Sequence, residues 1–573
     1  MRYTIPLGGT VLTYEPTGFA QWLARPRRYL SVDVETTGLD WGDTVRVVQV
    51  GDSDTAWVLP PDGDLLRPVL QGRMFVAWNA AFDAEHLRRL TGVDILPYTS
   101  DTAVLAGVLD PRATYQGGVG RGLKEWAAAR LGEQAGLPER DLYAMFKRRG
   151  WTRADGWRLI DTDHPVYVRY AGADVVYTHR LHQILTDDIR ARAAVVRREQ
   201  QVAQIVARLR ARGFLLDAEY TEQRRLHYAA ELTDTMLALH ELGVTKVGSS
   251  KQIAQRLEEE GLEDFIEYTE LHNVSVPKSV LKKARVSGST AAPLVLRAKR
   301  AKRLGRDYLE AYQAAAAVDG RVHPNIHPIG AKTRRMSSSR PNLQNVPKDM
   351  GIRRCFIPDP GEVLLDADYR QMELRYAAGI SGDQALTEDL AEGDPFPALA
   401  EQVWPGQGQA KRGTAKVMGY MTIYGGGAKA LSEVTGQSPS EARALQRAFW
   451  RKYRVLNWYS DNARRGLKAR GGVELPRSGW LPSRPDKAYV ALNLLIQGGC
   501  RDAFGERLVA MDAAGLTPFL RHLVHDEAIW SVPEDLVEDV VAVIRSTMPI
   551  TDLPVPIPVD IKIGRSWEEM KKW

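Results

Sequence analysis

"EVLLDADYRQMELRYAAG", residues 362–379, is an apolar run that reaches Asp366 and Asp368 and then turns through polar residues into a helical pattern. The two aspartates stand two apart, so an extended chain carries both on one side of the pleat. Far downstream, "FLRHLVHDEAIWSVP", residues 519–533, reads as strand, then His525-Asp526-Glu527, then strand. That is a hairpin with three polar groups at its tip. If the two strands are neighbours, Asp368 and Asp526 can share a pair of divalent ions, which would activate an attacking hydroxyl and hold a triphosphate. Otherwise an aspartate beside a histidine is an ordinary turn residue.

Between these stretches lies "RGTAKVMGYMTIYGGG", residues 412–427. Arg412, Lys416, Tyr420 and Tyr424 recur every fourth residue, on one helical face. Two cations followed by two rings suit a triphosphate at one end and a base at the other. A surface Arg/Lys pair above a buried aromatic seam would give the same spacing.

The N-terminal part alternates strand-like runs ("RYLSVDVE", "VRVVQVGDS") with helical ones ("FDAEHLRRL", "DTAVLAGVL"), an α/β pattern that ends near residue 190. In "SVDVETTGL", Asp33 and Glu35 share one side of a strand. Like charges that close need a cation or a shared proton to relieve them. Asp83 in "NAAFDAEHL" and Asp174 in "YAGADVVYTHR" complete an all-oxygen set of the kind Mg²⁺ or Mn²⁺ prefers. Tyr170, one helical turn before Asp174, could orient a water. Any one of these aspartates alone would pass for a helix cap.

With 573 residues, the chain is long enough for several cores. Its 44% hydrophobic and 26% charged residues describe globular protein, not disorder. The net charge of +6 permits a nucleic-acid partner without requiring one. Cys355 and Cys500 alone make no disulfide framework and fit a reducing compartment. The absence of a long apolar run argues against a membrane span, so a soluble cytoplasmic protein is expected. Residues 200–315 read as charge-laced helices with a break around 275–293, and "VLRAKRAKRLGRDYLEAYQ" is either a solvated helix or an element that grips a nucleic-acid backbone.

The motifs carry a resemblance that covers essentially the whole chain. "DVETTG", "NAAFD" and "YAGAD" resemble the three motifs of the DEDD-type 3′–5′ proofreading exonucleases, in the version with tyrosine in the third. "DADYRQMELR", "RGTAKVMGYMTIYG" and "VHDE" resemble motifs A, B and C of family A DNA polymerases. "TRRMSSSRPNLQNVP" (333–347) resembles that family's primer–template contact segment, and "NLLIQGGCRDAF" (493–504) its helix before motif C. The resemblance implies an RNase H-like exonuclease domain followed by a right-hand polymerase, a multidomain α/β and α+β chain. The expected boundaries are 1–190 for the exonuclease, 191–318 for the thumb and connecting helices, 319–378 for the first palm part, 379–486 for the fingers and 487–573 for the second palm part.

It further implies Asp33, Glu35, Asp83 and Asp174 as exonuclease metal ligands, Tyr170 as water positioner, Thr36 and Asn79 near the DNA end, and Asp101 in support. In the polymerase half it implies Asp368 and Asp526 as metal ligands, with Glu527 beside them. Arg412 and Lys416 would contact the incoming triphosphate, and Tyr420 would lie near its sugar, where many relatives carry Phe. Tyr424 would lie at the template base, and Glu373 would exclude a ribose 2′-OH. Arg335, Asn342, Gln344, Asn345, Asn493, Gln497 and His525 would touch DNA. Two Mg²⁺ ions (or Mn²⁺) per site, primer–template DNA and dNTPs are the implied cofactors and substrates. A monomeric bacteriophage-like polymerase without a 5′-nuclease domain is expected, in the host cytoplasm, beside replisome proteins such as a helicase or primase. A nuclease-dominant repair protein is the alternative. A single-subunit RNA polymerase fits less well because of Glu373, and a DNA-binding scaffold leaves two like-charge clusters unexplained.

Four positions depart from the family pattern. Arg370 stands for a usual Ser, Met421 for Gly, Arg334 for the Gly after Thr333, and Phe396 in "DPFP" (394–397) for a triphosphate-binding His. Looser phosphate contacts are expected from Phe396, partly offset by Arg370 or Lys411.

Overall fold

In the computed structural model of the chain, which describes residues 1–348 and 350–573, strand Glu362–Tyr369 is the centre of a five-stranded antiparallel sheet. The strand order is Leu520–Val524, Glu527–Pro533, Glu362–Tyr369, Val559–Gly564, Met570–Lys572. Pleat alternation sends Leu365 and Ala367 into the main apolar core, where Phe504 and Leu508 of helix Ala491–Ala513 and Ile544 of helix Val537–Thr547 also sit. The opposite face carries Leu364, in a second core with Ile529 and Trp567, and then Asp366 and Asp368. Burial of one face fixes the register, since a slip of one residue would turn both carboxylates into the core.

The N-terminal unit is a seven-stranded mixed sheet ordered Arg2–Thr4, Thr10–Thr13, Thr55–Leu59, Val45–Gly51, Leu30–Thr36, Phe75–Ala77, Thr99–Asp101. Helix Pro165–Asp188 packs on its central strands. Its α/β character agrees with the sequence pattern.

Helix Ala193–Arg212 follows directly. It buries Val202, Ile205, Val206 and Leu209 in the main apolar core and also touches helices Ala80–Thr91 and Thr102–Leu109 of the N-terminal unit. The next helices, Ala218–Glu241, Ser250–Glu259, Lys278–Val286 and Ala291–Lys302, form a separate small core. Here the sequence expectation needs correcting: the interruption lies at 260–277 and holds a short hairpin, Glu267–Tyr268 with Val274–Ser275. Ser287–Thr290 is only a turn between two helices. Arg297 and Arg300 of the basic run bond Glu231 at 2.9 and 2.8 Å, tying helix to helix, while Lys302, Arg303 and Arg306 remain exposed.

Helix Arg412–Ile423 belongs to a helical layer with Ala428–Thr435, Pro439–Lys452 and Arg454–Arg470, which a hairpin, Gly472–Leu475 with Gly479–Pro482, joins back to the sheet unit. Among the described residues, no helix is long and apolar enough to cross a membrane. Both cysteines are buried and free.

Candidate functional site

Two carboxylate clusters stand in separate units. In the sheet unit, Asp368 lies directly opposite Glu527 and Asp366 opposite Ile529, so the strands that the motifs required to be neighbours are paired in register. His525 and Asp526 form the two-residue turn between Val524 and Glu527. His525 sits in the left-handed region at φ 55°, which holds Asp526 at the tip beside the end of the central strand. Burial, then Asp526, then Asp366 push the Asp368 carboxyl up to about 7, against relief from Lys562. Burial also pushes Asp526 up to about 6, where Arg335 opposes it. Glu527 rises to about 7 through burial and Asp366. It is held by Trp567 Nε1, which donates to it at 3.1 Å, and by Arg353 at 3.8 Å. Asp366 pairs with Lys562 at 2.8 Å. Carboxylates that raise one another's pKa make a place for a compact cation of high charge.

The helical layer faces this sheet edge. Glu373 accepts from both Arg335 and the Tyr424 hydroxyl, so three residues assigned to DNA, template base and sugar meet at one carboxylate. Tyr420 lies between Phe396 and Tyr424, with ring centroids 5.9 and 6.2 Å away. Arg412 pairs with Asp394, and Lys416 is exposed. Asn493 and Gln497 lie one turn apart on helix Ala491–Ala513. Asn493 Oδ1 and Gln344 Nε2 are buried without a hydrogen-bond partner, a costly state that a bound substrate would relieve. Asn342 Oδ1 accepts from the Gln344 N–H at 2.9 Å, and the Asn345 carbonyl accepts from Tyr308 at 3.1 Å. Asn342 and Asn345 are exposed.

Each of the four departures has a definite setting. Phe396 is buried against Tyr420 and against Gly419, where a Cβ would come within 2.7 Å of its ring. It therefore serves the helical core. Both cations expected to compensate already have partners. Arg370 forks onto Asp560, and Lys411 Nζ bonds Gln437 at 3.0 Å. Met421 packs at the edge of the core. Arg334 is buried at φ 62°.

In the N-terminal unit, Asp33, Glu35 and Asp174 bring ligand atoms within 4.8 Å of one another, the one such group of three among the described residues. Asp83 stands outside that trio but beside it. Its Oδ1 accepts from the Val34 N–H at 3.2 Å, and its Oδ2 is buried without a hydrogen-bond partner. Burial raises Asp33 to about 6 against the pull of Lys124, and burial together with repulsion from Asp33 pushes Glu35 and Asp83 well above the usual range. Tyr170 packs on Trp157 with centroids 5.5 Å apart. Asp101 accepts from the N–H groups of Asn79 and Ala80, each at 3.0 Å, and from Ala103 at 2.9 Å. It braces the turn at Asn79 (φ 66°) rather than joining the ligand group. Thr36 closes the same strand with a hydroxyl bond to the Gly38 carbonyl.

Lys124 was not foreseen. Its ammonium pairs with Asp174 and lies 4.4 Å from the centroid of the Tyr170 ring. Burial lowers its pKa to about 8 against the pull of Glu35, Glu139 and Asp33. A lone lysine in helix Leu123–Leu131 carries no local signal of this contact.

The family model described as DNA polymerase family A matches residues 218–569. The chain belongs to this family. The model described as 3′–5′ exonuclease matches residues 13–190, so the chain is a family A DNA polymerase with a 3′–5′ exonuclease domain. A DNA polymerase of Mycobacterium phage L5 is 32% identical over 96% of this chain and 94% of its own. That of Mycobacterium phage D29 is 31% identical over 96% and 95%. DNA polymerase I of Chloroflexus aurantiacus is 27% identical over 92% of this chain and 58% of its own. The solved structure titled "POL domain of Pol1 from M. smegmatis complex with DNA primer-template and dNTP" shares the fold at a TM-score of 0.78 and 22% identity, over 97% of this chain and 99% of that one. Polymerase and exonuclease domains of these families use divalent metal ions, and the clusters around Asp368 and Asp33 have the oxygen chemistry for them.

Proposed function

We propose that the chain extends DNA primers on a template and removes mispaired 3′ ends, with Mg²⁺ as the ion and two ions in each site. The observation that carries this reading is the in-register pairing of Asp368 with Glu527, which sets Asp526 at the hairpin tip beside Asp368 and facing Glu373 and Arg335. Asp368 and Asp526 would hold the polymerase ions. Asp33, Glu35, Asp83 and Asp174 would hold those of the exonuclease. Ions so placed supply activation of the attacking oxygen and stabilisation of the leaving one.

The chain's own residues do the remaining work. Arg412 and Lys416 take the triphosphate, Arg412 exchanging Asp394 for a phosphate oxygen. Glu373 closes the space a 2′-OH would need, braced by Arg335. Tyr424 leaves Glu373 when a template base arrives. Asn342, Gln344, Asn345, Asn493, Gln497 and His525 line the path of the DNA. Tyr170 orients the water that cleaves a terminal phosphodiester. Identity of about a third to mycobacteriophage polymerases along nearly their whole length supports a role in phage genome replication, in the host cytoplasm, as a monomer beside helicase and primase. The test is extension of a labelled primer on two templates of different sequence. Products must follow each template and require Mg²⁺. Products that ignore the template would sink the proposal.

A further inference from the structure

Between strands Asn325–His327 and Ser337–Ser339, loop 328–336 touches both halves of the chain. One end of it faces the exonuclease domain: Ile329 packs on Gly107, where a Cβ would come within 3.2 Å. The other end reaches the polymerase site, where Arg335 pairs with Glu373. Beside the loop a cleft of about 330 Å³ opens between the units, lined by Trp78, Asn79 and Arg121 on one side and His327, Pro328 and Ile329 on the other.

Arg334 fixes this loop. It is only 2% exposed. Its Nη2 donates to the carbonyls of Val108 at 2.8 Å and Trp480 at 2.9 Å, and its Nη1 to Ser478 Oγ at 2.6 Å. Val108 is in the last turn of helix Thr102–Leu109, whose first residue follows Asp101, the brace of the Asn79 turn. Ser478 and Trp480 lie at the turn and second strand of the hairpin that joins fingers to palm. Ser478 donates in turn to Asp502, which Arg198 also holds at 2.7 Å. Arg192, from the connector, reaches the same two carbonyls at 3.2 and 3.3 Å. A non-glycine residue at φ 62° is strained, and a guanidinium without solvent is costly unless paired. The bonds to Val108, Ser478 and Trp480 offset part of these costs and tie the loop to both units, with Nε left buried without a partner.

We infer that Arg334 is a positioning residue for primer transfer: it locks loop 328–336 so that a frayed 3′ end leaving the polymerase site meets the exonuclease cleft without dissociating. The inference rests on the two site assignments above, and its test separates the two. The enzyme is preloaded on a primer–template with a terminal mismatch and started with Mg²⁺ and an excess of unlabelled duplex as trap. The fraction of primers shortened without dissociation is then counted. Arg334→Gly relaxes the backbone while removing the tie. It is expected to keep matched-primer extension and single-strand degradation within about two-fold, and to lower the intramolecular fraction about five-fold. Arg334→Gly with Arg192→Ala should lower it further. An unchanged fraction with both basal activities intact overturns the inference, and so does an equal loss of all three rates, which marks a purely structural tie. If Arg334→Gly does not fold, Ser478→Ala is read in the same way, with a fall of about two-fold expected and no change refuting the role. Loss of templated extension by the wild-type enzyme would instead refute the assignment of the sites.

Discussion

Asp368→Asn should abolish primer extension and yet stabilise the metal-free protein. In the folded chain the Asp368 carboxyl titrates near 7, against 3.8 for a free aspartate, because burial, Asp526 and Asp366 all disfavour its charge. Between pH 3.8 and about 7 the folded state keeps a proton that the unfolded state has released. Stability of the metal-free protein therefore falls as pH rises through that window, and the full penalty is present above it. A gap of roughly 3 in pKa corresponds to about 4 kcal/mol. For a unit of this size that is on the order of 5 °C in the melting temperature of the polymerase domain. The assay is calorimetry in EDTA at pH 8 and pH 4. Asp368→Asn should melt several degrees above wild type at pH 8, with the difference largely gone at pH 4. Added Mg²⁺ should raise the wild-type melting temperature at pH 8 and leave that of the variant nearly unmoved. A variant that melts at or below wild type in EDTA at pH 8 would refute the reasoning, because Asp368 would then carry no like-charge burden for an ion to relieve.

Three other substitutions probe neighbouring groups. Tyr420 lies between Phe396 and Tyr424, where its hydroxyl can take the place of a missing 3′-OH. The wild type should incorporate dideoxynucleotides readily, and Tyr420→Phe should discriminate against them by about ten-fold or more; equal ddNTP:dNTP selectivity in the two proteins would count against this role. Glu373→Ala removes the carboxylate that holds Arg335 and Tyr424. Ribonucleotide use relative to dNTP should rise about ten-fold or more while dNTP turnover falls, and an unchanged ratio would show that Glu373 does not gate the sugar. Lys124→Met should slow degradation of single-stranded DNA about ten-fold, since its ammonium is the cation nearest Asp174 and Tyr170. Primer extension should not change; equal slowing of both would mean the substitution damages the whole chain.

The candidate carboxylates are legible because local periodicity places them. Asp33 with Glu35, and Asp366 with Asp368, follow from the two-residue repeat of a strand, and the His525–Asp526 turn from the strands on either side. The pairing of those strands depends on the fold, and the family resemblance supplied what periodicity could not. Lys124 was illegible because its partner lies 50 residues away on another helix, and nothing in helix Leu123–Leu131 announces it. Arg334 stood out as an anomaly in its motif, but Val108, Ser478 and Trp480 lie too far along the chain to be read as its acceptors. The misplaced break near residue 275 has a local cause. Ser, Gly and Pro at 287–293 resemble a loop, yet they serve as a single turn and the start of helix Ala291–Lys302. Arg370 and Lys411 read as spare cations because charge is visible in sequence, whereas Asp560 and Gln437, which bind them, are not visibly near.

The central claim is that one chain holds two independent sites. A 5′-labelled primer annealed to its template, with Mg²⁺, should lengthen when dNTPs are present and shorten when they are absent. Asp526→Ala should abolish lengthening and spare shortening, and Asp33→Ala should do the reverse. If either variant, correctly folded, lost both activities or neither, the separation of the two sites would be contradicted.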